Sequence, residues 1–330
     1  MMIVGEAWSE QEELYEAPFV GSSGFLLRRA LSLAGVDMDE CYLTNVFNFR
    51  PQRNDIETLC ATKDKSIPGY DAWAKGKWIS AEHSSEIERL WREVHDVSPN
   101  VILALGSAAV WALCNKSGIA KHRGFVTEAI DGTKVVSSWH PGAVLRNYSL
   151  FPVLILDVAK AVKHDHYPEM PKQVGYLCVP DTIAELEAWV ERWIEPAPIV
   201  ICDIETENDA ITEVGFSVSQ ERVICIPFYS RTEKNRSYWS TFEDELAAWT
   251  IVRRVCETKP LAGQNFAYDM KWLWKKMGIR CPGFIDDTML MHHSLQPEME
   301  KGLSFLASAY TDRPAWKFMR AESKGGKKGD

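Results

Sequence analysis

The chain has 330 residues, 46% of them apolar, and a formal net charge of −9. That length and apolar fraction support two cores of ordinary domain size. The negative balance argues against sequence-independent gripping of a polyanion by the whole chain, which needs clustered Lys and Arg, but leaves narrow local grooves open to one. No run is long and apolar enough to span a bilayer and no secretory pattern precedes Gly5, so no membrane partner is expected. Eight cysteines lie singly, with Cys178, Cys202 and Cys225 in or beside apolar runs, which suits buried thiols in a reducing cytoplasm.

In chain order, Met2-Ile-Val-Gly5-Glu6-Ala7 opens as a short apolar strand running into a turn, followed by Ala17-Pro-Phe19-Val-Gly21. Next come Tyr42-Leu-Thr44-Asn45-Val46, then Val101-Ile-Leu-Ala-Leu-Gly106, then Ser138-Trp-His140-Pro141-Gly142. Each group sits at the C-terminal end of an apolar, β-branched run, where parallel α/β sheets collect their functional loops. Taken singly, each has a plain structural reading: Gly106 as a tight turn, Phe19 as core, Asn45 as a turn residue, His140 as a capped loop histidine. Residues 54 to 84 form a polar, Trp-containing segment that reads as an insertion or a substrate-facing loop. His164 to Pro171 reads as a linker, with Pro and polar residues closing the first half.

Together and in this order, Gly5-Glu6-Ala7, Pro18-Phe19-Val20-Gly21, Thr44-Asn45-Val46, Arg50-Pro51, Leu105-Gly106-Ser-Ala-Ala109 and His140-Pro-Gly-Ala-Val-Leu-Arg146 resemble the uracil-DNA glycosylase superfamily, most closely its family 4 branch. The resemblance spans about residues 1 to 166 and implies a three-layer α/β/α domain on a parallel four-stranded sheet, here bounded at 1–168. It implies that Phe19 stacks on a flipped uracil, that Asn45 reads its O4 and N3–H edge, and that His140 donates a hydrogen bond to O2 as charge grows there. Glu6 would orient the attacking water or balance positive charge on the sugar. Leu145 or Arg146 would fill the gap left by the extruded base. Trp8 and Ser9 stand where the family continues with Pro and Gly, and Cys41, Cys60 and Cys114 lack the paired spacing of the family's iron–sulfur cluster, so no such cluster is expected.

Further along, Ile199-Val-Ile-Cys-Asp203-Ile-Glu205 delivers two carboxylates two positions apart, and Asn265-Phe-Ala-Tyr-Asp269 follows about sixty residues later in a helical pattern. In a strand, side chains at i and i+2 share a face, so Asp203 and Glu205 project together as hard oxygen ligands. With Asp269 they suit Mg²⁺ or Mn²⁺ and metal-assisted phosphodiester cleavage.

These two segments, with Asp287-Thr-Met-Leu-Met-His-His293 and Leu303-Ser-Phe-Leu-Ala-Ser-Ala-Tyr310, resemble the 3′ to 5′ proofreading exonuclease domain of family A DNA polymerases, within the DEDD superfamily. The resemblance implies an RNase H-like mixed-sheet α/β domain over 176–330, with Asp203, Glu205 and Asp269 as metal ligands and Asn265 near the substrate. The family's third motif, a Tyr with an Asp four residues on, has no counterpart after Asp269, and Ser323 to Asp330 reads as a polar, Gly-rich loop. The domain is therefore expected to be incomplete, completed by a further segment or a polymerase polypeptide, or to have lost catalysis. Asp286, Asp287, His292 and His293 are expected as helix-start and ordinary helix residues rather than replacement ligands. Two functions stay open: uracil excision joined to a partial proofreading exonuclease, or a degenerate module that reads uracil and grips single-stranded DNA.

Overall fold

The computed structural model describes residues 1–172, 175–230 and 237–314. The Ser323 to Asp330 tail lies outside the described residues. The chain divides into two compact units, one made of Met1–Lys172 with the chain from Ala307 onward, the other of Gln173–Leu306. Among the described residues no helix is long and apolar enough to cross a membrane.

The first unit runs β1 (Met2–Ala7), α1 (Glu10–Tyr15), α2 (Ser22–Leu33), β2 (Tyr42–Phe47), β3 (Cys60–Ala61), β4 (Trp78–Ile79), α3 (Ser84–Val97), β5 (Ile102–Leu105), α4 (Ser107–Cys114), α5 (Ile119–His122), β6 (Val126–Glu128), β7 (Lys134–Ser138), α6 (Pro141–Arg146) and α7 (Phe151–His164). Its main sheet has the order β2-β1-β5-β7-β6. The first four strands are mutually parallel, as the family resemblance implies, and a fifth, β6, pairs antiparallel with β7. The extra strand follows from the short link: Asp131 accepts from the Thr133 amide at 2.9 Å, and a turn that tight can only fold the chain back on itself. Three residues give too little alternation for a strand to be read from sequence.

Both sheet faces are covered, which explains the unbroken apolar runs. Met2 and Val4 of β1 pack in one core with Leu90 of α3 and Trp111 of α4; Ile3 packs in the other with Leu27 of α2 and Val158 of α7. Each such side chain contributes roughly 1.5–3 kcal/mol by leaving water. The strand that leads into His140 is pinned at its end, because Ser138 Oγ donates to Asp157 Oδ2 of α7 at 2.8 Å and Arg123 Nε donates to the same oxygen at 3.1 Å. His164 departs from the linker reading. It closes α7 fully buried, its ring 3.3 Å from Tyr167 Oη and 3.1 Å from Asp312 Oδ1.

The second unit runs β8 (Tyr176–Cys178), α8 (Ile183–Trp189), β9 (Val200–Glu207), β10 (Ala210–Ser219), β11 (Arg222–Pro227), α9 (Phe242–Thr258), β12 (Leu261–Gly263), α10 (Ala267–Met277), β13 (Phe284–Asp287) and α11 (Thr288–Leu295), with α12 (Leu303–Tyr310) next in the chain. Its six-stranded mixed sheet has the order β13-β12-β9-β10-β11-β8. Strands β9, β10 and β11 are antiparallel neighbours, whereas β12 runs parallel to β9. Val200, Cys202 and Ile204 bury one face of β9 with Val252 and Cys256 of α9, leaving Ile201, Asp203 and Glu205 on the other.

Candidate functional site

Phe19, from the loop before α2, and Asn45 of β2 meet around Gly5 of β1. A Cβ added there would stand 2.7 Å from Phe19 Cζ and closer still to Asn45 Oδ1, so only glycine lets the strand pass between ring and amide. Phe19 is 5% exposed and sits at φ 57°, the left-handed region, which an aromatic residue adopts only when its surroundings hold it there. Gly24 serves the same loop: any Cβ at that point of α2 would collide with the Phe19 backbone. Asn45, 1% exposed on β2, buries its Nδ2 without a hydrogen-bond partner. A buried amide donor left unmet costs about 1–3 kcal/mol, a cost that a bound carbonyl oxygen would remove.

His140 lies beside this cluster, its ring 6.3 Å from that of Phe19 and tilted 28° from parallel. It caps α6, and its Nδ1 accepts from the Gly142 amide at 3.1 Å. Burial, opposed by Glu12 and reinforced by Arg146, pushes its pKa down to about 4. The imidazole is thus neutral near pH 7, and an occupied Nδ1 acceptor leaves the proton on Nε2, free to donate. Burial raises the Glu6 carboxyl, with Arg146 opposing and Asp55 adding to the rise. Glu6, His140, Leu145 and Arg146 line a cavity of about 730 Å³. Leu145 and Arg146 are exposed at its rim, on the helix that starts at His140.

Two parts of this wall escape sequence reading. Glu12, only 4% exposed, accepts from the Phe19 amide through Oε1 at 2.6 Å and from the Ser9 amide through Oε2 at 2.7 Å. One carboxylate therefore joins the turn after Glu6 to the Phe19 loop. The Ser9-x-x-Glu12 spacing is a capping-box pattern, so this signal was available in the sequence. The segment 54 to 84 also reaches the site, for Asn54, Asp55, Ile56 and Trp73 line the same cavity. Nothing in the order of residues announces that Trp73 returns to the wall of a site begun at Glu6.

In the second unit, Asp203 and Glu205 share the open face of β9 as the alternation requires. Asp269, in the first turn of α10, is 3% exposed and accepts from the Ile204 amide at 2.9 Å, which fixes it against the strand between them. Burial raises its pKa to about 6; the Ile204 bond opposes this and the nearby Asp203 charge adds to it. A carboxyl so destabilised when charged is chemically suited to a cation. Among the described residues, however, no three His, Cys, Asp or Glu side chains are gathered closely enough to hold a metal ion. Asp287 behaves as a helix-start residue, accepting from the amides of Asn265, Phe266 and Met289 at 3.0, 2.8 and 2.8 Å. Its bond to the Asn265 amide helps hold that exposed residue at φ 55°. Thr206 and Tyr268 hydroxyls meet at 2.8 Å, a second tie between β9 and α10.

Two family models match this chain, one after the other along the sequence. Residues 1–162 match the family model of the uracil DNA glycosylase superfamily. The chain is 31% identical over 165 residues to the type-4 uracil-DNA glycosylase of Thermotoga maritima, covering 49% of this chain and 75% of that protein. The chain belongs to the uracil-DNA glycosylase superfamily. Residues 179–328 match the family model of the 3′-5′ exonuclease. Similarity also extends over 88% of the chain to the DNA polymerase of Bacillus phage SP01, at 23% identity, of which it spans 32%. A crystal structure of the EXD2 exonuclease domain soaked in Mn and Mg gives a TM-score of 0.29 at 14% identity, covering 47% of this chain and 78% of that one.

Within the glycosylase-family unit, Phe19 and Asn45 come together around Gly5, His140 lies beside the Phe19 ring, and Glu6, His140, Leu145 and Arg146 line the adjoining cavity. Within the exonuclease-family unit, Asp269 is brought to the β9 backbone, while Asn265 is placed on the turn ahead of α10.

Proposed function

We propose that the glycosylase-family unit removes uracil from DNA by hydrolysing the N-glycosidic bond. The observation that carries this reading is the unpartnered Asn45 Nδ2, buried beside Phe19 and Gly5. The amide offers a donor to uracil O4 and an acceptor to N3–H; cytosine presents the reverse pattern and leaves both unmet. A uracil inside a duplex must first leave the stack, at about a few kcal/mol, and less from a single strand. Phe19 then packs on the flipped base. As the bond from C1′ to N1 breaks, its electron pair stays on the uracil, and neutral His140 donates from Nε2–H to O2 without giving up its proton. Water adds to C1′, oriented by the Glu6 carboxylate, and releases a proton as the abasic sugar forms. Leu145 and Arg146 stand at the rim, where they can occupy the vacated stack.

For the second unit we propose that a divalent cation, Mg²⁺ or Mn²⁺, would draw Asp203, Glu205 and Asp269 closer together than they lie here and would supply Lewis-acid chemistry at a phosphodiester, and that Asn265 lies near a single-stranded 3′ end. The likeness to a phage DNA polymerase supports a further polymerase polypeptide as the partner of this chain, at work in the cytoplasm of a bacterial or phage-infected cell.

A second reading, uracil recognition without cleavage, is favoured by Trp8, whose bulky indole stands two residues after Glu6 with its Nε1 buried and unpartnered. One experiment separates the two. The purified chain is incubated in EDTA with a labelled single strand holding one uracil, and abasic sites are then cut with alkali. A band at the uracil position establishes excision. No band, with tighter binding of the uracil strand than of a thymine control, establishes a reader.

A further inference from the structure

Strand β2, which carries Asn45, is the edge strand of its sheet, and among the described residues no neighbouring strand holds its outer side. Backbone groups left open in this way call for another partner, whether solvent, a side chain or a further strand. Arg89 of α3 takes that place. Its Nη2 donates to the carbonyls of Asn45 at 2.8 Å and Val46 at 3.1 Å, and its Nη1 donates to Thr44 Oγ1 at 3.1 Å. The guanidinium is itself gripped from both sides along its helix, Nε by Glu86 at 3.2 Å and Nη1 by Glu93 at 2.7 Å. Glu86 also accepts from the Asn48 amide at 2.9 Å, so the clamp covers the strand end from Thr44 to Asn48.

We infer that Arg89 is a positioning residue for base recognition: its planar fork fixes the backbone at Asn45 and so sets the direction of the buried amide that reads the base. The inference rests on the reading of Asn45 given above. Three features support it. The fork is 19% exposed and five of its hydrogen bonds are made to fixed partners, so the geometry is set before any ligand arrives. It reaches the Asn45 carbonyl, leaving the side-chain amide free for a base. It touches neither Glu6 nor His140, so its effect on the reaction must pass through β2.

A double-mutant cycle tests this, since residues acting through one another are non-additive. Single-turnover uracil release in EDTA is measured for wild type, Arg89→Met, Asn45→Ala and the double variant, with thermal midpoints alongside. Loss of charge-assisted hydrogen bonds predicts about tenfold slower release for Arg89→Met, and less than about a twofold further change in the Asn45→Ala background. Arg89→Lys, which keeps the charge and loses the fork, should behave as Arg89→Met. Should Arg89→Met fail to fold, Glu93→Gln, which loosens the fork without touching β2, should slow release and lose that effect when Asn45 is already Ala. Equal losses in both backgrounds, or wild-type rates in the single variants, would overturn the inference. If wild type releases no uracil, the same cycle is read on affinity for the uracil strand over the thymine strand, and absence of any such preference overturns both this inference and the reading of Asn45.

Discussion

Gly5 and Asn45 are packed so closely that a single methyl group on Gly5 would overlap the Asn45 side-chain oxygen. The two are register partners on adjacent parallel strands, so neither can move aside without breaking the β1–β2 ladder. The place of the Asn45 amide therefore depends on a missing side chain on the neighbouring strand.

Gly5→Ala should preserve the fold, because overpacking of this kind costs about 1–3 kcal/mol, yet slow uracil release by about 10²-fold or more as Asn45 and Phe19 are pushed out of place. Single-turnover rates and a thermal melt on the same sample decide it. Wild-type release by a folded variant would place base recognition elsewhere.

His140→Ala should lower uracil release by about 10²–10³-fold, the loss of one donor to a developing oxyanion. Its titration gives an independent check. With a folded pKa of about 4 against an ordinary 6.5, the native state binds this proton less readily than the unfolded state. The associated stability is present above about pH 6.5 and is lost as pH falls toward 4. Nitrogen-15 NMR should find a neutral ring at pH 6 with its proton on Nε2, and the melting temperature should fall between pH 6.5 and 4.5 more in wild type than in His140→Gln. A ring half protonated near 6.5 would contradict the burial seen here.

Glu12→Ala removes the acceptor shared by the Ser9 and Phe19 amides. Bonds to a charged acceptor contribute about 1.5–3 kcal/mol, so urea unfolding should show a loss in that range. Uracil release should slow as well, about tenfold or more, because Phe19 no longer holds its left-handed backbone. Unchanged stability with unchanged rate would mean that the loop is held by other contacts.

In the second unit, Mn²⁺ binding measured by calorimetry should weaken on Asp203→Ala. Because Asp269 carries a proton below about pH 6, bound cation must displace it, so affinity should rise from pH 5 to pH 7 with proton release in the lower half of that range. Asp203→Ala also removes a negative neighbour and should lower the Asp269 pKa. Indistinguishable isotherms for the two proteins would remove Asp203 from the site.

Much of this molecule is legible in its sequence because local rules carry it. Period-two alternation puts Asp203 and Glu205 on one face of β9 whatever the rest of the chain does, and an apolar run ending in Gly5-Glu6 marks a strand end in a parallel sheet. Strand β6 escaped because three residues carry too little pattern. The linker reading of His164 failed because a helix end buried by later chain looks polar and exposed when read locally.

The sequence by itself determined which side chains have the chemistry: an amide at 45, an imidazole at 140, an aromatic ring at 19, carboxylates at 6, 203, 205 and 269. It did so because donor and acceptor inventories and strand periodicity are properties of residues and their near neighbours. Tertiary structure alone decided which of them are held, and by what. Glu12 grips Phe19 across seven residues, Arg89 grips Asn45 across 44, and Trp73 returns to the cavity of Glu6 and His140. Those pairings arise from how α1, α3 and the segment 54 to 84 pack on a sheet whose edge strand bears Asn45, and burial so created sets the His140 and Asp269 titrations. Long-range packing of this kind leaves no periodic trace in the order of residues.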